Sequence, residues 1–268
     1  MRCSPDPHHH LPLELAFAQW LRNDAPVLAA QAEAGVLVAM FDLADWQPWL
    51  AEAAGLIDAQ EAARVARQRL QANREVLVLA YALHRLLLSR VLGCASGDVP
   101  LRRDAKGCPR LRDDRLFTSL SHAGQRVAIA ISGLGPVGID VEPAERAPEM
   151  PELAARVAHP DELRGLAGLE AGALGEALLA TWVRKEALLK AAGIGLEREM
   201  DEFIAPCGVP LPLPGDTFPG RSVELHALHA PGWACAVAVP PGTAVILATP
   251  ACEDPVPATL AANPDGMR

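Results

Sequence analysis

Apolar residues along this chain fall into long runs at helical spacing and short runs of strand length, and their alternation sets the predicted elements. Residues 11–34 carry apolar positions at mixed helical spacing and predict a helix ahead of the main domain. VLVAMFDL at 36–43 predicts a buried strand. Residues 50–70 place Ala, Leu and Arg at helical spacing, and Asn73 is positioned to cap a stronger helix that runs to Leu92 and stops at Gly93. Residues 97–114 are polar and rich in turn formers, so a loop or weak hairpin is expected. Strands follow at 116–120 and 127–131, separated by Ser121-His122-Ala123-Gly124, and a third at Gly138-Ile139-Asp140-Val141-Glu142. Short helices at 151–169 lead into the longest apolar run, 173–192, which lacks proline and meets Gly193 and Gly195 at its end. That run predicts one long helix. After a Pro- and Gly-rich stretch at 207–220, strands are expected at 222–228, 233–239 and 244–248.

The order of elements repeats: strand, helix and strand pair, then strand, helix and strand set. The expected fold class is therefore α+β, built as two similar halves with a ligand cleft between them. The expected boundaries are an N-terminal extension at 1–35, an N-terminal half at 36–135, a C-terminal half at 136–250 and a flexible tail at 251–268.

Composition narrows the class. Half of the 268 residues are hydrophobic and 21% are charged, which marks a globular chain with a substantial core. The net charge of −9 argues against nucleic-acid binding, which draws its affinity from Lys and Arg against phosphates. The six cysteines show no CxxC spacing, so neither a zinc ribbon nor a disulfide framework is expected. Neither a membrane span nor a signal peptide is evident, and a cytoplasmic location is expected. The His8-His9-His10 tract is read as disordered.

Candidate chemistry gathers on two stretches. In the long helix Trp182, Glu186 and Lys190 recur at i, i+4 and i+8 and so share one stripe. Taken alone, a Glu–Lys pair at this spacing is a common solvated contact. The strand at 138–142 changes that weighing, because alternation puts Asp140 and Glu142 on one face of an otherwise apolar element. If helix and strand pack together, Asp140, Glu142 and Glu186 supply three hard oxygen donors suited to Mg²⁺ and phosphate.

With these pieces assembled, the chain resembles the 4'-phosphopantetheinyl transferases of the surfactin-synthetase-activating type. The resemblance rests on Leu120-Ser121-His122, on Gly138 to Glu142, and on Trp182-Val183-Arg184-Lys185-Glu186-Ala187-Leu188-Leu189-Lys190 followed by Gly193-Ile194-Gly195-Leu196. It covers residues 36–250, and the second motif trails the first by about 40 residues. It implies two pseudo-symmetric α+β halves with coenzyme A between them. It implies Mg²⁺-dependent transfer of the phosphopantetheine arm to a serine of an apo acyl or peptidyl carrier protein, releasing adenosine 3',5'-bisphosphate, with Mn²⁺ as the alternative ion. A monomer is expected.

For the chemistry this resemblance implies, Asp140, Glu142 and Glu186 are the expected metal ligands, Glu186 or a water held by it the acceptor of the serine proton, and Lys190 the group that neutralises or protonates the leaving phosphate. Ser121 and His122 contact a phosphate of coenzyme A. Arg64, Arg67, Arg69 and Arg74 lie where the family places cations for the 3'-phosphate of coenzyme A, with Arg67 and Arg74 aligning best. The family's loop commonly reads Gly, basic residue, Pro; here it is Gly107-Cys108-Pro109, so Lys106 or Arg110 is expected to replace the cation. Two competing readings are a coenzyme A pyrophosphohydrolase, whose usual sequence box is absent, and a non-catalytic carrier-binding module.

Overall fold

Two sheets, each completed by one long helix, organise the molecule. A computed structural model describes residues 11–21, 25–112 and 115–248. The expected tail at 251–268, the His8 to His10 tract, Cys3 and Cys252 lie outside these residues. Cys94, Cys108, Cys207 and Cys235 are free thiols.

The chain opens with α1 (Leu13–Trp20) and α2 (Ala25–Ala34). They are part of the first core: Leu13, Phe17 and Leu28 are buried beside Phe41 and Trp46. Strand β1 (Val36–Asp42) is followed by a 3₁₀ segment, then α3 (Leu50–Leu56), α4 (Ala59–Ala66) and α5 (Gln71–Leu92). The single helix expected over 50–70 is thus two, broken where Asp58 turns to cap α4 in a capping box with Glu61. Helix α5 begins at Gln71 after Leu70, so Asn73 lies inside it and is not its cap.

A short hairpin, β2 (Leu101–Arg103) with β3 (Pro109–Leu111), precedes β4 (Phe117–Ala123) and β5 (Arg126–Ser132). Ser121 and His122 are therefore strand residues; the turn they were expected to form lies at Gly124, whose φ is +54°. In the second half β6 (Gly138–Pro143) leads through a 3₁₀ segment to α6 (Ala154–Val157), α7 (Pro160–Gly165) and α8 (Ala171–Ala192). The remaining strands are β7 (Leu211–Pro212), β8 (Ser222–Ala230), β9 (Trp233–Val239) and β10 (Val245–Ala248).

The two sheets run β10-β1-β5-β4 and β6-β9-β8-β7. In the first half β5 pairs with β1 and β4, and in the second β9 pairs with β6 and β8, all antiparallel, and each half carries a 22-residue helix. The crossover is β10, which leaves the second half and pairs parallel to β1, Val36 opposite Val245. The sheets meet at β4 and β6, where the Ile139 amide donates to Ser119 Oγ at 3.1 Å. Apolar side chains from both, among them Val38, Ala130, Ile139 and Val237, form one buried cluster.

Strand β6 presses so closely on α8 that only glycine fits at its start. A Cβ on Gly138 would stand 1.9 Å from the Ala187 carbonyl oxygen and 2.5 Å from the Ala191 nitrogen. Gly138→Ala must push the strand off the helix, and we expect a loss of about 1–3 kcal/mol, read by urea unfolding.

Candidate active site

Strand β6 and helix α8 lie side by side because Gly138 lets their backbones close up and because the helix's apolar face shares a core with Ala236 and Ala238 of β9, the strand next to β6; this brings their polar positions together. Ile139 and Val141 are buried on β6; Val183, Ala187 and Ala191 are buried on α8. The stripe of Trp182, Glu186 and Lys190 is left half-exposed along the strand's edge.

Three side chains close a triangle. Lys190 Nζ donates to Asp140 Oδ1 at 2.6 Å and to Ser121 Oγ at 2.8 Å, while Ser121 Oγ donates to the same Asp140 oxygen at 2.7 Å. One residue comes from each of β4, β6 and α8, so the triangle ties both halves together. Asp140 and Ser121 are buried, and Asp140 Oδ2 has no hydrogen-bond partner.

Glu186 and Glu142 belong to the same electrostatic cluster. Burial first, then the Asp140 carboxylate, lift Glu186 to about 7; Lys190 opposes the rise and Glu142 adds to it. Burial also raises Glu142, against the pull of Arg146, which bonds it at 2.6 Å. Arg146 in turn lies 5.3 Å over the Trp182 ring, so this tryptophan packs against the cation that holds Glu142. Among the described residues no group of three or more His, Cys, Asp or Glu side chains is arranged to hold a metal ion. Asp140 Oδ1 is taken by Lys190 and Glu142 by Arg146, which is why three coupled carboxylates do not form a ready-made cage.

Glu186 binds its proton more tightly folded than unfolded. Between roughly pH 4.5 and 7 the folded state therefore carries the extra proton, and stability falls as pH rises through that window. Glu186→Gln removes this dependence. The difference in Tm between variant and metal-free wild type should shift in the variant's favour from pH 5 to pH 8; a constant difference would contradict the cluster.

Beside Glu142 opens a cavity of about 1000 Å³. Its walls include Arg64, Arg67 and Tyr81 from the first half, His122 from β4, and Glu142 and Arg146 from the second. Ala72 and Asn73, in the first turn of α5, also line it. Desolvation, then the charges of Lys190 and Arg103, hold His122 below the usual imidazole range, so it is neutral near pH 7.

Of the predicted binding residues, Arg67 and His122 line this cavity; Ser121 and Lys190 are not among its lining residues, although Ser121 precedes His122 on β4. Arg74 is not among the lining residues; its Nε donates to the Gln68 carbonyl at 2.8 Å, securing the turn into α5. Lys106 lies elsewhere, in an ion pair with Glu197 at 2.5 Å beside a smaller cavity of about 560 Å³. The reason is local: Asp104 Oδ1 accepts from the Lys106 and Cys108 amides, and the tight turn sends the lysine outward. Arg110 bonds Asp104 and stacks on Phe218 at 4.9 Å, so it too is engaged away from the large cavity.

Two contributors escaped the sequence reading. Tyr81 and Arg146 needed the packed helices to be seen, although Arg146 at i+4 from Glu142 was a readable charge pair. Lys185, fully buried, was also passed over. It shares the buried stripe of Thr181, Leu188 and Ala192, and that spacing was the available signal.

Residues 136–238 match the family model described as the 4'-phosphopantetheinyl transferase superfamily. The match contains β6, α8 and the Asp140, Glu142, Glu186 and Lys190 cluster. A Synechocystis sp. protein provisionally named as a 4'-phosphopantetheinyl transferase is 31% identical over 153 residues, 56% of this chain and 62% of its own. The 4'-phosphopantetheinyl transferase HetI of Nostoc sp. is 27% identical over 153 residues, 56% of this chain and 65% of its own. The matched region spans less than two thirds of either relative. A holo-(acyl-carrier-protein) synthase from Bacillus anthracis, solved in complex with CoA, aligns with 39% of this chain and 94% of its own, at 24% identity and a TM-score of 0.30. No helix among the described residues is long and apolar enough to cross a membrane.

Proposed function

We propose that this protein transfers the 4'-phosphopantetheine arm of coenzyme A to a serine hydroxyl of an apo acyl or peptidyl carrier protein, with adenosine 3',5'-bisphosphate as the other product. The observation that supports it most directly is the Ser121, Asp140 and Lys190 triangle, coupled to Glu186 and to Glu142, which lines a cavity that Arg64, Arg67 and Arg146 also line. The cavity is large enough for a nucleotide cofactor.

The donor types suit a hard divalent cation. Asp140 Oδ2 is buried without a partner, and the like charges that raise Glu186 are those a cation would relieve. Asp140, Glu142 and Glu186 would hold Mg²⁺, which when bound would neutralise charge building on the diphosphate. The chain's own residues then act in order. The carrier serine oxygen bonds to the phosphorus bearing the pantetheine arm, and the bond from that phosphorus to the departing nucleotide's bridging oxygen breaks. Glu186 accepts the serine proton. Lys190, oriented by Asp140 and Ser121, presents its charge to the departing phosphate.

The test is a panel of apo carrier domains incubated with coenzyme A, with and without Mg²⁺, and read by mass. A gain of one phosphopantetheine group on a carrier serine supports the proposal. Consumption of coenzyme A with no carrier present would favour a pyrophosphohydrolase instead. Carrier binding without consumption, indifferent to metal, would mark a non-catalytic module.

A further inference from the structure

Arg146 belongs to the carboxylate cluster and to the large cavity at once: it bonds Glu142 Oε1 at 2.6 Å, and it lines the cavity together with that carboxylate. Its backbone is fixed. The 3₁₀ segment that carries it, Ala144–Leu153, is anchored on both sides of the arginine. On one side the Ala144 amide donates to the Gly232 carbonyl at 3.0 Å. On the other, Ala147 lies so close to α8 that a Cβ on Gly175 would stand 2.2 Å from its carbonyl oxygen. Gly175, Leu178, Leu179 and Trp182 recur at i, i+3, i+4 and i+7 along one face of α8, and Ala147 and Met150 are buried with the two leucines.

The side chain is held more lightly than the backbone. Its guanidinium side remains 29% exposed, with the Trp182 ring 5.3 Å away on one side and Glu142 at its tip. At that exposure neither the ring contact nor the ion pair is strong, so the arginine can change partner while the segment beneath it stays in place. A divalent cation that takes Glu142 meets the guanidinium charge at the same carboxylate, and two cations there disfavour one another. An anionic oxygen in the cavity offers the arginine a second partner of the kind its planar fork suits.

We propose that Arg146 is a positioning residue that works as a latch: it withholds Glu142 from a divalent cation and releases it when an anionic oxygen of the cofactor enters the cavity and takes the guanidinium. Metal and cofactor then favour each other's binding through one side chain. This rests on the transferase reading and deepens it, and it holds for any of the phosphate groups of coenzyme A that the arginine meets.

Mn²⁺ binding followed by electron paramagnetic resonance, with and without coenzyme A, tests it on the full chain and needs no turnover. Arg146→Gln should tighten binding of Mn²⁺ alone by about 3- to 10-fold. With coenzyme A saturating, variant and wild type should agree within about 2-fold, because the latch is then open in both. In a Glu142→Gln background the same substitution should leave Mn²⁺ affinity within about 2-fold, since the arginine acts through that carboxylate. Unchanged or weaker Mn²⁺ binding in Arg146→Gln would overturn the latch and leave the transferase reading intact. So would a tightening that persists with coenzyme A bound or in the Glu142→Gln background, which marks a charge effect through space. Wild-type protein that binds Mn²⁺ neither alone nor with coenzyme A would overturn both the latch and the metal-dependent reading.

Discussion

Glu186→Gln is expected to lower kcat for carrier modification by about 10²–10⁴-fold at saturating coenzyme A, with the fold and cofactor binding retained. The substitution keeps the shape of the side chain and removes both its charge and its capacity to accept a proton. Glu186 is the residue where these matter most, because burial and the Asp140 carboxylate raise its proton affinity, to about 7 before a cation binds. With the cation in place Glu186 ionises below that value, so wild-type activity should rise with pH on the acid side of 7, and the variant's residual activity should lose that rise. Discontinuous mass assays from pH 5.5 to 8.5 give both readouts. A variant that keeps its full rate would remove Glu186 from the mechanism and move the search for a base to Asp140 or Glu142.

The second large effect is structural and lies one residue away. Lys185 is fully buried, with Nζ donating to the Met200 carbonyl at 2.7 Å and paired to Glu162 at 2.5 Å. Glu162 also accepts from the His159 and Ala205 amides, so one ion pair fastens α8 to α7 and to the 200–205 segment. Lys185→Met leaves the carboxylate without its counter-charge, and we expect a loss of about 3–5 kcal/mol. That corresponds to roughly 10 °C in Tm. Adding Glu162→Gln should recover much of it, because the stranded charge is then gone. If the double variant is no more stable than Lys185→Met alone, the pair is not what fastens these elements.

These two residues show what the sequence made legible. Glu186 and Lys190 were readable because the helix 171–192 has no proline, ends at a left-handed glycine, and repeats its polar stripe every fourth residue. Asp140 and Glu142 were readable for the same kind of reason, as polar positions on an apolar strand. Ser121 and His122 were legible as residues but not as strand, since a Ser-His-Ala-Gly run has the composition of a turn and takes its extended form from pairing with Ala128 and Val127. Lys106 illustrates the opposite limit. Its sequence position gave it a binding role, whereas its direction is set by Asp104 and by Glu197, 91 residues away. Tyr81 was hidden altogether, because its neighbours arrive from α4 and from the hairpin and no local pattern records them.

The pairing of β10 with β1 fixes an order of events during synthesis. The outer side of β1 gains its partner only when residues 245–248 are available, although β1 itself is made within the first 42. A nascent chain emerging from the ribosome therefore carries an open sheet margin until those residues are made, a natural place for a chaperone to act. A chain halted at residue 243 would keep every group of the reactive cluster and still present that bare margin to its neighbours.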